Sequence, residues 1–319
     1  MSDSAVRHVL IIKLGALGDF VQALGPMAAI RRHHPDAHIT LLTAKPYADL
    51  AKASGSVDDI WIDTRPAWWQ IGGWLDLRYW LRRTGFDWVY DLQTSDRSGF
   101  YYRLFWPGPY PKFSGIAEGC SHPHTNPGRD LLHTVERQRE QLKAAGIDNV
   151  PETDLSSAVW ARADVSFLNL PERYALLVPG GAAHRPGKRW PAEYYGALAA
   201  MLAARGVTPV LLGAKGEKDV LANIHAACPQ ALDLCGRTDF LQIVALARGA
   251  VCAVGNDTGP MHLIAAAGCP SVVLYSFESD PVLCAQRGPD VAILRRETLA
   301  DLTPETVFSE LQARISALA

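Results

Sequence analysis

VGNDTGPMHLIAAAG, residues 254–268, reads as the end of a buried strand, a short polar turn and the start of a helix. The apolar run 250–254 suits a strand covered on both faces, and 261–267, rich in Ala and Leu, suits a helix. Asn256, Asp257, Thr258 and Gly259 lie between them. A helix N-terminus carries backbone N–H groups without internal partners and the positive end of the helix dipole, so such a turn suits a phosphate. Thr258 can either cap the helix or donate to an anion, and Gly259 lets the backbone approach closely.

Outward from this unit the same alternation recurs. Strands are predicted at 8–13, 38–43, 60–63 and 87–92 in the first half, and at 174–178, 208–213, 231–234, 250–254 and 271–275 in the second. Helices are predicted at 21–34, 130–145, 191–205, 218–227 and 240–248. Strands alternating with amphipathic helices make parallel sheets covered by helices, so the fold class is α/β with two doubly wound units. The functional loops of each unit belong at the carboxyl ends of its strands, and two units facing each other make a cleft.

A chain of 319 residues exceeds one ordinary domain, and 48% hydrophobic with 20% charged residues is ample for two soluble cores. The polar stretch 146–171 is the natural hinge, giving domains at 1–158 and 159–319. The last helix, capped by Thr303 with Pro304 at its first position, aligns Val307, Leu311 and Ile315, and it could pack back on the first domain. A net charge of −2 provides no global basic field, so no nucleic-acid partner is expected. Six cysteines without CxxC spacing read as small core residues in a reducing compartment. No basic segment leads into a long apolar core, and no window approaches about 20 apolar residues. The expected location is therefore cytoplasmic, or peripheral at the inner face of the cytoplasmic membrane.

Two further loops join the 256–259 turn as candidates. KLGALGD, residues 13–19, has glycines three residues apart and places Asp19 at a helix entrance, either as a cap or as a general base for a hydroxyl proton. It lacks the full dinucleotide fingerprint, so no nicotinamide cofactor is expected. PGGAAHRPGKRWP, residues 179–191, gathers His184, Arg185, Lys188 and Arg189, either as a solvated basic loop or as the cations that neutralise a departing diphosphate. Asp257 could accept hydrogen bonds from sugar hydroxyls. Glu217 could hold a ribose or be an exposed acid at a helix start. His122, His124 and His133 lack compact metal spacing, no acidic pair sits where a divalent ion would bridge phosphates, and no metal site is expected.

On KLGALGD, on KRWP at 188–191, on GNDTGPMHLIAAAG from Gly255 and on Asp280-Pro281, the chain resembles glycosyltransferase family 9 over almost its whole length. That family is typified by the heptosyltransferases of lipopolysaccharide core synthesis. The resemblance implies a GT-B fold, two doubly wound Rossmann-like domains facing an interdomain cleft. It also implies a nucleotide-diphosphate-sugar donor, ADP-heptose in the family, bound mainly by the C-terminal half. Transfer would be inverting and metal-independent, with no cofactor and a glycolipid or glycan acceptor. Asp19 would be the catalytic base and Lys188 the contact to donor phosphate. The donor set would be Gly18, Arg189, Glu217, Asp257, Thr258, Gly259 and His262, with His262 leaning to packing. Two other readings stand beside transfer: a sugar-nucleotide epimerase on the same fold, and a catalytically silent nucleotide-sugar-binding protein.

Seven of the nine tryptophans fall at 61, 68, 69, 74, 80, 88 and 106, and residues 66–83 read PAWWQIGGWLDLRYWLRR. The family's core enzymes carry basic residues in this acceptor region, so a different acceptor is implied. Trp74, Leu77, Trp80 and Leu81 have the spacing of a packed helix face. Trp68 and Trp69, beside Pro66 and Gly72-Gly73, read as loop aromatics that stack on sugar or touch lipid, and Arg78, Arg82 and Arg83 as partners of anionic headgroups or solvated cations. Gln93 and Arg97 follow a strand end on the acceptor side, and Arg137 resembles an acceptor-contacting position of the family.

Overall fold

The computed structural model describes residues 6–182 and 184–315. The chain divides into two compact units, Met1–Thr153 and Asp154–Ala319, a few residues before the division read from the sequence. The local reason is a change of partners. The Thr153 hydroxyl donates to the Val21 carbonyl at 2.7 Å, whereas the Leu155 N–H donates to the Ala266 carbonyl at 2.8 Å and its side chain is fully buried.

The first unit holds strands β1 (His8–Ile12), β2 (His38–Thr43), β3 (Asp59–Ile62), β4 (Trp88–Asp91), β5 (Lys112–Gly115) and β6 (His122–Pro123) in one parallel sheet, ordered β3-β2-β1-β4-β5-β6. The second holds β7 (Tyr174–Val178), β8 (Thr208–Leu211), β9 (Leu232–Asp233), β10 (Cys252–Asn256), β11 (Ser271–Tyr275) and β12 (Val291–Arg295), ordered β12-β11-β10-β7-β8-β9. The two orders are the same winding. Each reverses direction between its first and fourth strands, and the crevice beyond the carboxyl ends of those strands is where such sheets bind ligands. Asp19 and Gln93 follow β1 and β4; Lys188 and Asp257 follow β7 and β10.

β7, β10 and β11 are buried at every position, as parallel strands covered by helices on both faces must be. The last helix, Pro304–Arg314, contributes Val307, Phe308 and Leu311 to the core of the second unit and packs on helix Ala192–Ala203 and β11. Sequence reading missed β5, β6 and β12. β5 and β6 are too short to show a period, whereas VAIL in β12 is a legible apolar run.

The helix predicted at 21–34 is two helices, Leu17–Gln22 and Leu24–His33. Pro26 has no N–H to offer the Gln22 carbonyl, so the chain turns at Ala23. Asp19 consequently lies inside the first helical turn rather than ahead of it. In helix Ile71–Thr84, Leu81 is buried and Trp74 and Leu77 pack half-buried against the core, as expected, whereas Trp80 departs from the packed face and is 53% exposed. Among the described residues, no helix is long and apolar enough to cross a membrane.

Candidate functional site

In the second unit, the turn after β10 is built around two buried side chains. Asn256 is fully buried and has all its hydrogen-bonding groups engaged: its Oδ1 accepts from the Trp190 N–H at 3.0 Å and the Tyr195 hydroxyl at 3.1 Å. Its amide nitrogen donates to the Pro179 and Gly180 carbonyls at 2.8 and 3.0 Å. One side chain at the end of β10 thereby fixes both ends of the basic loop that follows β7. Sequence reading noticed Asn256 only as part of a polar turn.

Asp257, beside it, accepts four contacts. Lys188 Nζ and the Ser279 hydroxyl each lie 2.5 Å from Oδ2, and the Tyr275 hydroxyl and Gln286 amide each lie 3.0 Å from Oδ1. Burial pushes the carboxyl pKa up, but the bonds from Lys188, Ser279 and Gln286 outweigh it and hold the group below the ordinary carboxylate range. The carboxylate is saturated by protein donors, so its visible work is to hold Lys188 rather than to present free lone pairs to a sugar. Tyr275, Ser279 and Gln286 were missed in the sequence because they come from β11 and the chain beyond it.

Thr258 occupies the cap position of helix Gly259–Ala266 in extended backbone, yet its hydroxyl makes no cap bond and is buried without a partner. Pro260 has no N–H, and the Met261 N–H turns to the Thr258 carbonyl at 3.2 Å. The Gly259 amide is then the first-turn donor left for an anion. The helix lies close on its strand because Gly255 has no side chain, and a Cβ there would meet Met261 Sδ at 2.5 Å. His262 is buried within this helix.

Arg189 and Glu217 brace the basic loop. Arg189 donates to the Gly181 carbonyl at 2.6 Å, while Glu217 accepts from the Gly181 and Ala214 N–H groups at 3.0 and 2.8 Å. Glu217 is thus not a plain exposed acid: each of its carboxylate oxygens is anchored by one backbone amide. A Cβ on Gly180 would sit 2.0 Å from Glu217 Oε1, so the brace needs glycine there.

In the first unit, Asp19 lies in the first turn of helix Leu17–Gln22 and opens on a cavity of roughly 100 Å³. Lys13, Gln93, Arg129, Arg137 and Gln138 are among the other walls. Gln93 is set there by accepting from the Leu14 N–H at 2.9 Å, and Arg137 by donating to the Thr134 hydroxyl at 3.1 Å. Lys13 is buried and donates to the Leu92 carbonyl at 3.0 Å; burial lowers its pKa against the opposing charges of Asp19 and Asp91. Asp91 is fully buried, and desolvation holds its pKa up to about 6 although the Thr94 and Gln93 amides favour its charge. Gln138, absent from the sequence reading, is only 4% exposed, and neither atom of its amide has a hydrogen-bond partner. The helical signal at 130–145 placed it in a helix but gave no reason to single it out.

Gly18 lies in the same first turn as Asp19, in the first unit. Arg97 is not a wall of the Asp19 cavity: it donates to the Pro66 carbonyl at 3.0 Å and lies over the Trp74 ring. Trp68 and Trp69 are exposed and also stand apart from its walls. Among the described residues, no three or more His, Cys, Asp or Glu side chains are grouped as metal ligands would be.

Residues 74–303 match the family described as glycosyltransferase family 9 (heptosyltransferase). Lipooligosaccharide heptosyltransferase 2 of Haemophilus influenzae is 30% identical over 154 residues, 41% of this chain and 44% of that protein, so the matched part spans less than half of that relative's length. Lipopolysaccharide heptosyltransferase 1 of Escherichia coli is 23% identical across 96% of this chain and 99% of its own. The structure of E. coli ADP-heptose lipopolysaccharide heptosyltransferase II superposes with a TM-score of 0.81 at 24% identity, covering 98% of each chain, which establishes the two-domain GT-B fold.

Proposed function

The chain belongs to glycosyltransferase family 9, and from that premise we propose that it moves a sugar, with heptose the expected unit, from a nucleoside-diphosphate donor to a lipopolysaccharide core or related cell-envelope glycan. ADP-heptose, named for the E. coli structure, is the first donor to try. The observation that carries the reading is Lys188, held at Asp257 next to the unpartnered Thr258 hydroxyl and the Gly259 amide. A cation, a hydroxyl and a helix amide together suit a diphosphate leaving group.

In this reading Asp19 takes the proton from the acceptor hydroxyl as that oxygen bonds to the anomeric carbon. The bond from carbon to the diphosphate breaks, and its electron pair leaves with the nucleoside diphosphate. Attack opposite the leaving group inverts the centre, and one base suffices. Lys188 meets the developing charge, so the scheme calls for no divalent ion. Glu217, with lone pairs beyond those its two amides use, is retained as the ribose contact. Gln93, Arg137 and Gln138 line the acceptor side with Asp19. All six cysteines are free thiols, which fits a reducing cytoplasm.

The test is Asp19→Asn with ADP-heptose as donor. Turnover should fall by about 10²–10⁴, the range for loss of a general base, while calorimetric ADP binding stays as in the wild type. A variant that turns over normally removes Asp19 from the mechanism. Chelation with EDTA should leave the rate unchanged, and loss restored by a divalent salt would overturn the metal-free scheme.

A further inference from the structure

We propose that Trp68, Trp69 and the outer stripe of helix Ile71–Thr84 form a surface that docks this protein on an anionic lipid bilayer. Trp68 is 81% exposed, Trp69 65%, Ile71 69%, Leu75 58% and Tyr79 53%. Single exposed apolar residues are ordinary, but five large ones in twelve consecutive positions form a patch that marks an interaction site.

The indoles do not face outward because the loop is loose. The Ala67 N–H donates to the Gln70 side chain at 2.7 Å, Trp74 Nε1 donates to the Ala67 carbonyl at 3.1 Å, and Arg97 holds the Pro66 carbonyl. Trp68 and Trp69 meet edge to face with centroids 5.5 Å apart. A pinned loop that displays two contacting indoles presents its apolar area already ordered.

Charge selects the occupant. At 100° per residue, Ile71, Leu75, Arg78, Tyr79, Arg82 and Arg83 share about 140° of the helix surface. Arg78 and Arg82 donate to the Trp106 carbonyl, and Arg83 lies over the Tyr79 ring at 5.6 Å. Among the described residues, none of these three guanidinium groups is paired with a carboxylate. Asp76, the one acid of the helix, lies at the rim and lines a groove with Ile62 and Trp80. Apolar and aromatic side chains interleaved with arginines suit the boundary of acyl chains and phosphate headgroups. A second copy of the same patch would set arginine against arginine, which disfavours self-association. The chain as a whole carries −2, so an anionic surface attracts it through this patch and not through its average charge.

The proposal does not depend on the transfer reaction and is tested by binding alone. Full-length protein is sedimented with vesicles of phosphatidylethanolamine and phosphatidylglycerol, and with vesicles of phosphatidylcholine. Partitioning should favour the anionic vesicles and weaken with salt. It should fall about fivefold in Arg83→Gln, the equivalent of one cationic contact, and further in a Trp68→Ser, Trp69→Ser double variant. Melting temperatures close to that of the wild type confirm that the exposed substitutions leave the fold intact. Equal binding to both vesicle types, no binding, or wild-type binding by the folded variants overturns the proposal. So does a lipid-free dimer of the wild type that the double variant abolishes, since the patch would then be a protein interface.

Discussion

Lys188 Nζ lies 2.5 Å from Asp257 Oδ2, joining the loop after β7 to the turn after β10. Both side chains are largely buried, at 13% and 7% exposure. Breaking a buried pair leaves an uncompensated ion. Lys188→Ala should therefore destabilise the second unit by about 3 kcal/mol, at the low end of that effect because Asp257 keeps three other donors. Donor affinity and turnover should fall together. The Lys188→Ala, Asp257→Asn double variant should recover much of the stability in urea denaturation but none of the donor binding. Recovery of both would assign the pair to structure alone.

Asn256→Ala should be more damaging to the fold than its turn position suggests. It strands the Trp190 N–H, the Tyr195 hydroxyl and the Pro179 and Gly180 carbonyls. Buried polar groups left unpaired cost about 1–3 kcal/mol each before water or relaxation recovers part of it. Unfolding should shift to lower denaturant and calorimetric ADP affinity should drop, with Lys188 itself untouched.

Gln138→Leu should separate function from stability in the opposite sense. An unpartnered buried amide is destabilising, so its apolar replacement should leave the first unit as stable or about 1 kcal/mol more so. If the amide meets the acceptor, acceptor KM should rise with donor KM unchanged. A stable variant with wild-type acceptor KM would remove Gln138 from the site.

The pH dependence of stability should come from two opposed groups in the first unit. Asp91 is held up to about 6, so its folded form binds the extra proton between the ordinary carboxylate value and about 6, and stability falls as pH rises through that range. His34 is lowered to about 4, chiefly by burial, so there the unfolded chain binds the extra proton and stability rises between about 4 and 6.5. The two slopes offset one another. Asp91→Asn should expose the His34 rise and gain up to about 3 kcal/mol over the wild type at pH 7 relative to pH 4. Urea titrations at the two pH values measure it, and parallel curves for the two proteins would show that Asp91 does not titrate as argued.

How far the sequence reached is clearest at the two sheet reversals. Strand, polar turn and helix follow one another locally, so the apolar runs at β1, β4, β7 and β10 and the loops that carry Asp19, Lys188 and Thr258 were legible from residue type and spacing. Hydrophobic period and turn chemistry are short-range properties of the chain. Which groups meet at those turns was not legible, because it depends on partners distant in sequence. Asn256 reaches back to Pro179 and Trp190, Asp257 is held by Tyr275, Ser279 and Gln286, and Gln93 reaches the Leu14 amide. The same distinction explains the helix at 71–84: its periodicity was read correctly, but only its neighbours could decide that Leu81 enters the core while Trp80 remains in water. Chain order determined the winding and the position of the reactive loops. Tertiary packing, by setting which polar atoms are satisfied and which are left open, decided their roles.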